Sequence, residues 1–191
     1  MNDTLENLLL GVIEGVTEFL PISSTGHLLI AEHWLGARSE LFTVTIQVGA
    51  ILGVVVIYWQ RLLDLVLRFG RPENRDYFLK LAGSFLITGA GGFAAMLAGQ
   101  TSRPAAAEFA FLVGIPTMFA ASGYLLLKAL LAGGVGAGED WAGLAIAFVA
   151  SAVVAFASVK WLLVYIRSHR FTAFAWYRIA FGVALLVLVH S

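Results

Sequence analysis

Five apolar runs dominate this chain, at about 41–59, 77–98, 106–131, 141–166 and 173–189. Each approaches or reaches the ~20 helical residues that cross a hydrocarbon core of about 30 Å. Backbone N–H and C=O groups find no water in lipid, so such runs fold as helices that satisfy their own backbone. Composition agrees: 60% of the 191 residues are hydrophobic and 13% are charged, and a mean hydropathy of +0.87 lies far outside the soluble range. The expected fold class is all-α, a polytopic membrane helical bundle in a single integral membrane domain over 1–191.

The N-terminal stretch breaks the pattern. Its apolar pieces 8–20 and 28–35 are each too short to span, and Pro21 with a run of hydroxyls and a glycine separates them. That fits a re-entrant helical hairpin over 8–35, which is tolerated at membrane depth only where its irregular backbone is covered by protein or lines a wet cavity. With 12 basic and 12 acidic residues, the chain lacks the basic surplus that phosphate-backbone binding requires, so no nucleic acid is expected as a partner. Cysteine is absent, which excludes disulfides, thiolate nucleophiles and cysteine metal sites. The opening MNDTLENLLL carries two acids and no basic residue, the wrong flank for a cleaved signal peptide, so it is expected to be retained.

Loop charge sets the orientation. Arg61, Arg68, Arg71, Arg75 and Lys80 place the segment after the first long run in the cytoplasm, and Arg167 and Arg170 are a second, weaker cytoplasmic signal. An even number of crossings must separate two cytoplasmic segments, yet three apolar runs lie between them. The run 77–98 is the candidate that does not span, because Gly83, Gly89, Gly91, Gly92 and Gly99 could break it into a second hairpin. The alternative is that these glycines are close-packing positions in an ordinary membrane helix, and that the weaker signal misleads.

The stretch VIEGVTEFLPISSTGHLL, residues 12–29, gathers chemistry in a greasy background. Glu14 and Glu18 are four apart and share one helix face. Two carboxylates together at membrane depth are costly unless a cation, a shared proton or an arginine relieves them, so the pair suits a divalent metal held by oxygen ligands. An isolated pair at this spacing is more often two water-exposed acids on an interfacial helix, but here a polar run follows. Pro21 helps to end the first helix at Leu20. Ser23, Ser24 or Thr25 can then cap a helix running through His27 to about Leu35. A helix start with hydroxyls suits a phosphate, and His27 in its first turn suits a general base or a nucleophile toward phosphorus; plain capping would explain one hydroxyl, and a structural hydrogen bond would explain the histidine. Together these residues propose phosphoryl chemistry on a membrane lipid, resting on position and charge neutralisation.

Four segments, EGVTEFLPISSTGHLLI, FTVTIQVGAILGVVVIYWQRL, SRPAAAEFAFLVGIPTM and FAWYRIAFG, resemble in the same order segments of the undecaprenyl-pyrophosphate phosphatases, also called bacitracin-resistance proteins. The resemblance implies a polytopic enzyme of two inverted repeats, each beginning with a re-entrant hairpin. Such an enzyme hydrolyses undecaprenyl pyrophosphate to the monophosphate with a divalent cation such as magnesium or calcium. It works in the bacterial cytoplasmic membrane from a pocket opening to the outer side, recycling the lipid carrier for cell-wall peptidoglycan synthesis and giving bacitracin resistance. The resemblance implies Glu14, Glu18, Ser24 and His27 as catalytic residues, Glu14 and Glu18 also as metal ligands, and Ser23 and Thr25 as substrate-binding. The nucleophile is left between Ser24 and His27.

One part of the pattern is missing. Family members carry a second motif, P-G-x-S-R-S, whose arginine is expected to clamp the pyrophosphate; no such motif occurs in this chain. LAGSFLITGAGGF resembles a helix of the first repeat and LAGQTSRPAAAEF the end of the second hairpin, as though the stretch between had been deleted. Loss of one spanning helix with one hairpin changes the crossing parity by one and accounts for the orientation conflict. Arg103 is the candidate substitute clamp at a helix start by Pro104, although it also suits an interfacial anchor. A second subunit is the other candidate source, which would make the protein a homodimer. Arg178 and Glu108 are expected to pair, Pro116 to kink its helix, and Trp59, Trp141 and Trp176 to lie in the interfacial belt. The alternative function is a catalytically impaired relative that binds or transports a polyprenyl phosphate lipid.

Overall fold

The computed structural model describes residues 3–88, 103–131, 140–169 and 171–190. Among them are seven helices and no strand: α1 (Asp3–Thr17), α2 (Ser24–Leu35), α3 (Glu40–Leu67), α4 (Pro72–Thr88), α5 (Arg103–Leu131), α6 (Trp141–Ser168) and α7 (Thr172–His190). Three stretches are long and apolar enough to cross a membrane, Glu40–Leu67, Glu108–Leu125 and Trp141–Ser168, with Thr172–Val187 a shorter apolar helix. The protein is a multi-pass, all-α membrane protein.

Helices α1 and α2, of 15 and 12 residues, rise only about 22 and 18 Å. They form a hairpin closed at its base by an ion pair between Arg38 and Glu6 at 2.8 Å, while Leu10 of α1 and Leu28 of α2 share one buried cluster with Phe42, Ile46, Leu144 and Ala147. Gly36, at φ 90, ends α2 in a backbone region that side chains resist. Ser39 then caps α3 by accepting from the Phe42 N–H at 3.0 Å, and Glu40 favours the positive end of the helix dipole.

Helix α6 is the axis of the molecule. On one side Gly11 and Gly15 of α1 lie directly on its backbone: a Cβ at Gly15 would come within 2.6 Å of the Ser151 carbonyl oxygen, and one at Gly11 would overlap that of Ala147. On another, Gly49 and Gly53 of α3 do the same against Phe148 and Ala152. Both are small-xxx-small faces, which let helix backbones approach closely where no hydrophobic drive separates protein from lipid. Ser151 is fully buried between them and donates to the Ile46 carbonyl at 2.7 Å. At the start of α6, Asp140 caps the Gly143 N–H at 3.0 Å and accepts from Asn7 at 3.3 Å, which ties the second turn of α1 to the start of α6.

These contacts advance together along all three chains, so α1, α3 and α6 run parallel. The C-terminal ends of α3 and α6, with Arg61, Arg68 and Arg167, therefore lie at the same end of the protein. Helix α5 runs the other way: Phe109 and Leu112 near its start share a core with Tyr58, Val54 and Ile51, and Phe119 and Ser122 lie beside Val44 and Val48. The rings of Tyr77, early in α4, and Phe109, early in α5, meet edge to face at 5.8 Å. Both helices thus begin on the basic side. This geometry removes the orientation conflict, because both basic segments sit at one end.

Of the glycines read as breakers or packing positions, Gly83 faces open space, since a Cβ there would meet nothing within 4 Å, and Gly89, Gly91, Gly92 and Gly99 lie outside the described residues. Pro116 lies within α5. Trp59, Trp141 and Trp176 are all more than half exposed. No ion pair joins Arg178 to Glu108 among the described residues: Arg178 is exposed on α7, whereas Glu108 lies by Tyr58 and Tyr77.

Candidate functional site

The hairpin tip assembles the polar motif. Helix α1 ends at Thr17, whose hydroxyl donates back to the Ile13 carbonyl at 2.7 Å, and the chain turns through Glu18 to Ile22. Ser23 then takes φ 75, the one described non-glycine residue in the left-handed region, and occupies the cap position of α2 without a side-chain capping bond. The first N–H groups of α2, which have no intrahelical partner, therefore find no acceptor in the Ser23 side chain. Backbone of this kind in a β-hydroxy residue costs about 1–3 kcal/mol, and it concentrates at functional sites.

A cavity of about 120 Å³ lies beside the tip, lined by Glu14, Ser24, Thr25, Glu32, Thr43 and Gln47 with Leu28 and Leu29. Glu18 stands behind two of these: Ser24 Oγ donates to its Oε2, and Gln47 Nε2 of α3 donates to its Oε1 at 3.3 Å. Glu14 is 1% exposed, the charge of Glu18 bears on it directly, and its Oε2 is buried without a hydrogen-bond partner. Other buried polar atoms, among them Tyr58 Oη and Ser122 Oγ, also lack a partner, but an orphaned carboxylate oxygen is a site waiting for a proton or a cation.

The donor set of two carboxylates, hydroxyls and an amide oxygen is hard and oxygen-rich, which suits magnesium or calcium. Among the described residues no three acidic or histidine side chains are grouped at metal-binding spacing. The site therefore fits an ion held by one or two carboxylates and completed by substrate phosphate oxygens, the usual arrangement for magnesium. Among the described residues, no lysine, arginine or histidine lines the cavity.

His27 is turned elsewhere. Its Nδ1 lies 2.7 Å from the Ser23 carbonyl oxygen, its Nε2 lies 2.6 Å from Tyr177 Oη on α7, and its ring stacks on Phe181 at 4.1 Å. Glu14, Ser24 and Thr25 thus line one cavity, with Glu18 behind it on Ser24 and Gln47 and Ser23 at the cap position before Ser24, while His27 lies on the α7 side of α2. Arg103 is the first residue of α5; its side chain lies outside the described part of the structure. Sequence reasoning missed Glu32, Thr43, Gln47 and Tyr177. Gln47 could have been found, since an amide within a membrane run calls for a partner; Tyr177 could not, because nothing local says that α7 meets α2.

A helical membrane protein whose short hairpin carries carboxylates and hydroxyls into a cavity belongs to the class of membrane-embedded enzymes and carriers that act on polar headgroups. Within that class, the sequence profile of the bacitracin resistance protein BacA family matches residues 7–96 and 88–184, and the chain belongs to that family. It is similar to the undecaprenyl-diphosphatase of Rhizobium etli, 48% identical over 261 aligned positions covering 99% of this chain and 98% of that protein. It is also similar to that of Rhizobium leguminosarum, 48% identical over 257 positions covering 96% of each. A third, from Xanthomonas oryzae, is 42% identical over 259 positions covering 98% of this chain and 97% of that protein. The first alignment has 70 more positions than the 191 residues of this chain, so at least that many have no counterpart here. The two profile matches meet at 88–96, between α4 and α5. This is a shortened member that lacks the P-G-x-S-R-S motif.

Proposed function

We propose that the chain hydrolyses undecaprenyl pyrophosphate to undecaprenyl phosphate and inorganic phosphate at the cavity of the α1–α2 hairpin. The observation that carries this reading is the Ser24 hydroxyl donating to Glu18 beside the orphaned oxygen of Glu14. A nucleophile hydrogen-bonded to a base is the signature of covalent catalysis. Ser24 Oγ attacks the terminal phosphorus and Glu18 takes its proton. The bond from that phosphorus to the bridging oxygen breaks, and undecaprenyl phosphate leaves. Water then clears the phosphoryl group from Ser24 as inorganic phosphate, and His27, which lies on the α7 side of α2 rather than in the cavity lining, is the base that accepts the water proton from that side. Thr25 and the first N–H groups of α2 orient the phosphate. A magnesium or calcium ion held by Glu14 and Glu18 would neutralise charge on the phosphate oxygens.

The basic ends of α3 and α6 favour a cytoplasmic location by the positive-inside rule. The hairpin base then faces the outer side of the bacterial cytoplasmic membrane, with the tip re-entering from there. Recycling of the carrier for peptidoglycan synthesis and bacitracin resistance follow from that placement. Because no basic side chain among the described residues lines the cavity, Arg103 or a second copy of the chain supplies the remaining positive charge. In the first case Arg103→Ala raises KM about 10-fold, as loss of a charged substrate contact does; in the second, the protein is a dimer by mass in detergent.

The test is phosphate release from undecaprenyl pyrophosphate by the purified protein. Release should require magnesium or calcium, stop with chelator, and fall on the order of 10³-fold in Glu18→Gln. A protein that binds the lipid and releases no phosphate under any metal is instead the impaired relative that binds or transports it, a reading favoured by the missing motif.

A further inference from the structure

The segment FAWYRIAFG has no role in the chemistry so far, yet it supplies both side chains that touch His27. From its geometry we infer that Tyr177 and Phe181 form a clasp on α7 that sets the tautomer and orientation of the His27 ring, making Tyr177 a positioning residue for the reaction. The inference rests on the reading of His27 as the base.

A carbonyl oxygen can only accept, so the 2.7 Å contact of Nδ1 with the Ser23 carbonyl puts the ring proton on Nδ1. Nε2 is then the basic nitrogen, and the Tyr177 hydroxyl at 2.6 Å donates to it. For Nε2 to take a proton the hydroxyl must first turn its own away, after which it accepts from Nε2–H, since an O–H serves in both directions. Ring orientation is fixed separately: Phe181 lies parallel to the imidazole, 10° between planes and 4.1 Å between centroids, and Tyr177 is parallel to both. Tyr177 and Phe181 are four apart and so share one face of α7.

The sequence of α2 leaves room for this clasp. A Cβ at Gly26 would lie 2.8 Å from Phe181 Cε1 and 3.2 Å from Leu185 Cδ1, so glycine beside His27 admits the helix that holds His27. A histidine in water favours a proton on Nε2; the arrangement here enforces the other tautomer, and a base held in the wrong tautomer or turned away is lost to catalysis.

The test uses the full chain in detergent micelles with 15N-labelled histidine. Two-bond proton–nitrogen correlation reads the tautomer directly, with His27→Ala identifying the signal. The wild type should show His27 with its proton on Nδ1, and Tyr177→Phe should shift it toward the Nε2–H form. In turnover assays Tyr177→Phe should lower kcat on the order of 10-fold with KM unchanged, and Phe181→Leu should lower it less. Ile179→Ala, exposed on the same helix, should leave both readings as in the wild type. A wild-type His27 protonated on Nε2, or a Tyr177→Phe spectrum identical to the wild type, overturns the clasp. If the wild type fails to hydrolyse the lipid yet shows the Nδ1–H form responding to Tyr177, the clasp stands and the proposed reaction falls.

Discussion

The hairpin is held on its two sides in opposite ways. Helix α1 meets α6 backbone to backbone through Gly11 and Gly15, with a buried serine and a capped terminus along the seam. Helix α2 meets α7 through side chains alone, at His27, Tyr177, Phe181 and Leu185. Most of the large side chains of α7, Trp176, Ile179, Val183 and Leu186 among them, face outward. Backbone cannot move aside, whereas the far end of an aromatic side chain can. The first seam is therefore scaffold and the second is adjustable, and the carboxylates stand on the scaffold side while the histidine stands on the adjustable one.

One substitution placed on each seam separates them. Gly11→Ala, or Gly15→Ala, drives a methyl into α6 backbone and should cost about 2–3 kcal/mol, visible as a lowered unfolding midpoint in detergent; wild-type stability for both would dissolve the distinction. Asp140→Ala removes the cap and the Asn7 bond from the scaffold seam, and a loss of about 1 kcal/mol in the same measurement is expected. Gly26→Ala meets only movable side chains and gains about 1 kcal/mol of helix propensity. Its stability should stay within about 0.5 kcal/mol of wild type while turnover falls, because Phe181 must shift. Smallest of all, Trp176→Ala on the exposed face of α7 should change stability by less than about 0.5 kcal/mol.

The helices and their environment were legible because a bilayer demands long apolar runs, and the carboxylate and hydroxyl motif stood out because polar groups are rare there. Two things were not. Glycine drew attention at 83–99, where it is frequent, whereas among the described residues the glycines that set helix contacts include the pairs four apart at 11 and 15 and at 49 and 53; there period, rather than frequency, was the signal. The position of His27 was hidden for a different reason. Its place in the first turn of α2 suggested a share in the cavity of Ser24 and Thr25, but residues three apart on a helix still diverge enough for one to face α3 and the other α7.

Ser23 joins these observations at one peptide. Its left-handed backbone aims a single carbonyl oxygen at two groups of His27, the main-chain N–H at 3.4 Å and Nδ1 at 2.7 Å, so the bend of the loop and the aim of the base share one bond. Substitutions among Ser23, Ser24, Gly26 and His27 should then be strongly epistatic: the second change costs little once the first has broken the unit, and a single reversion restores little. Such a block can be passed on whole or lost whole, with few working intermediates between.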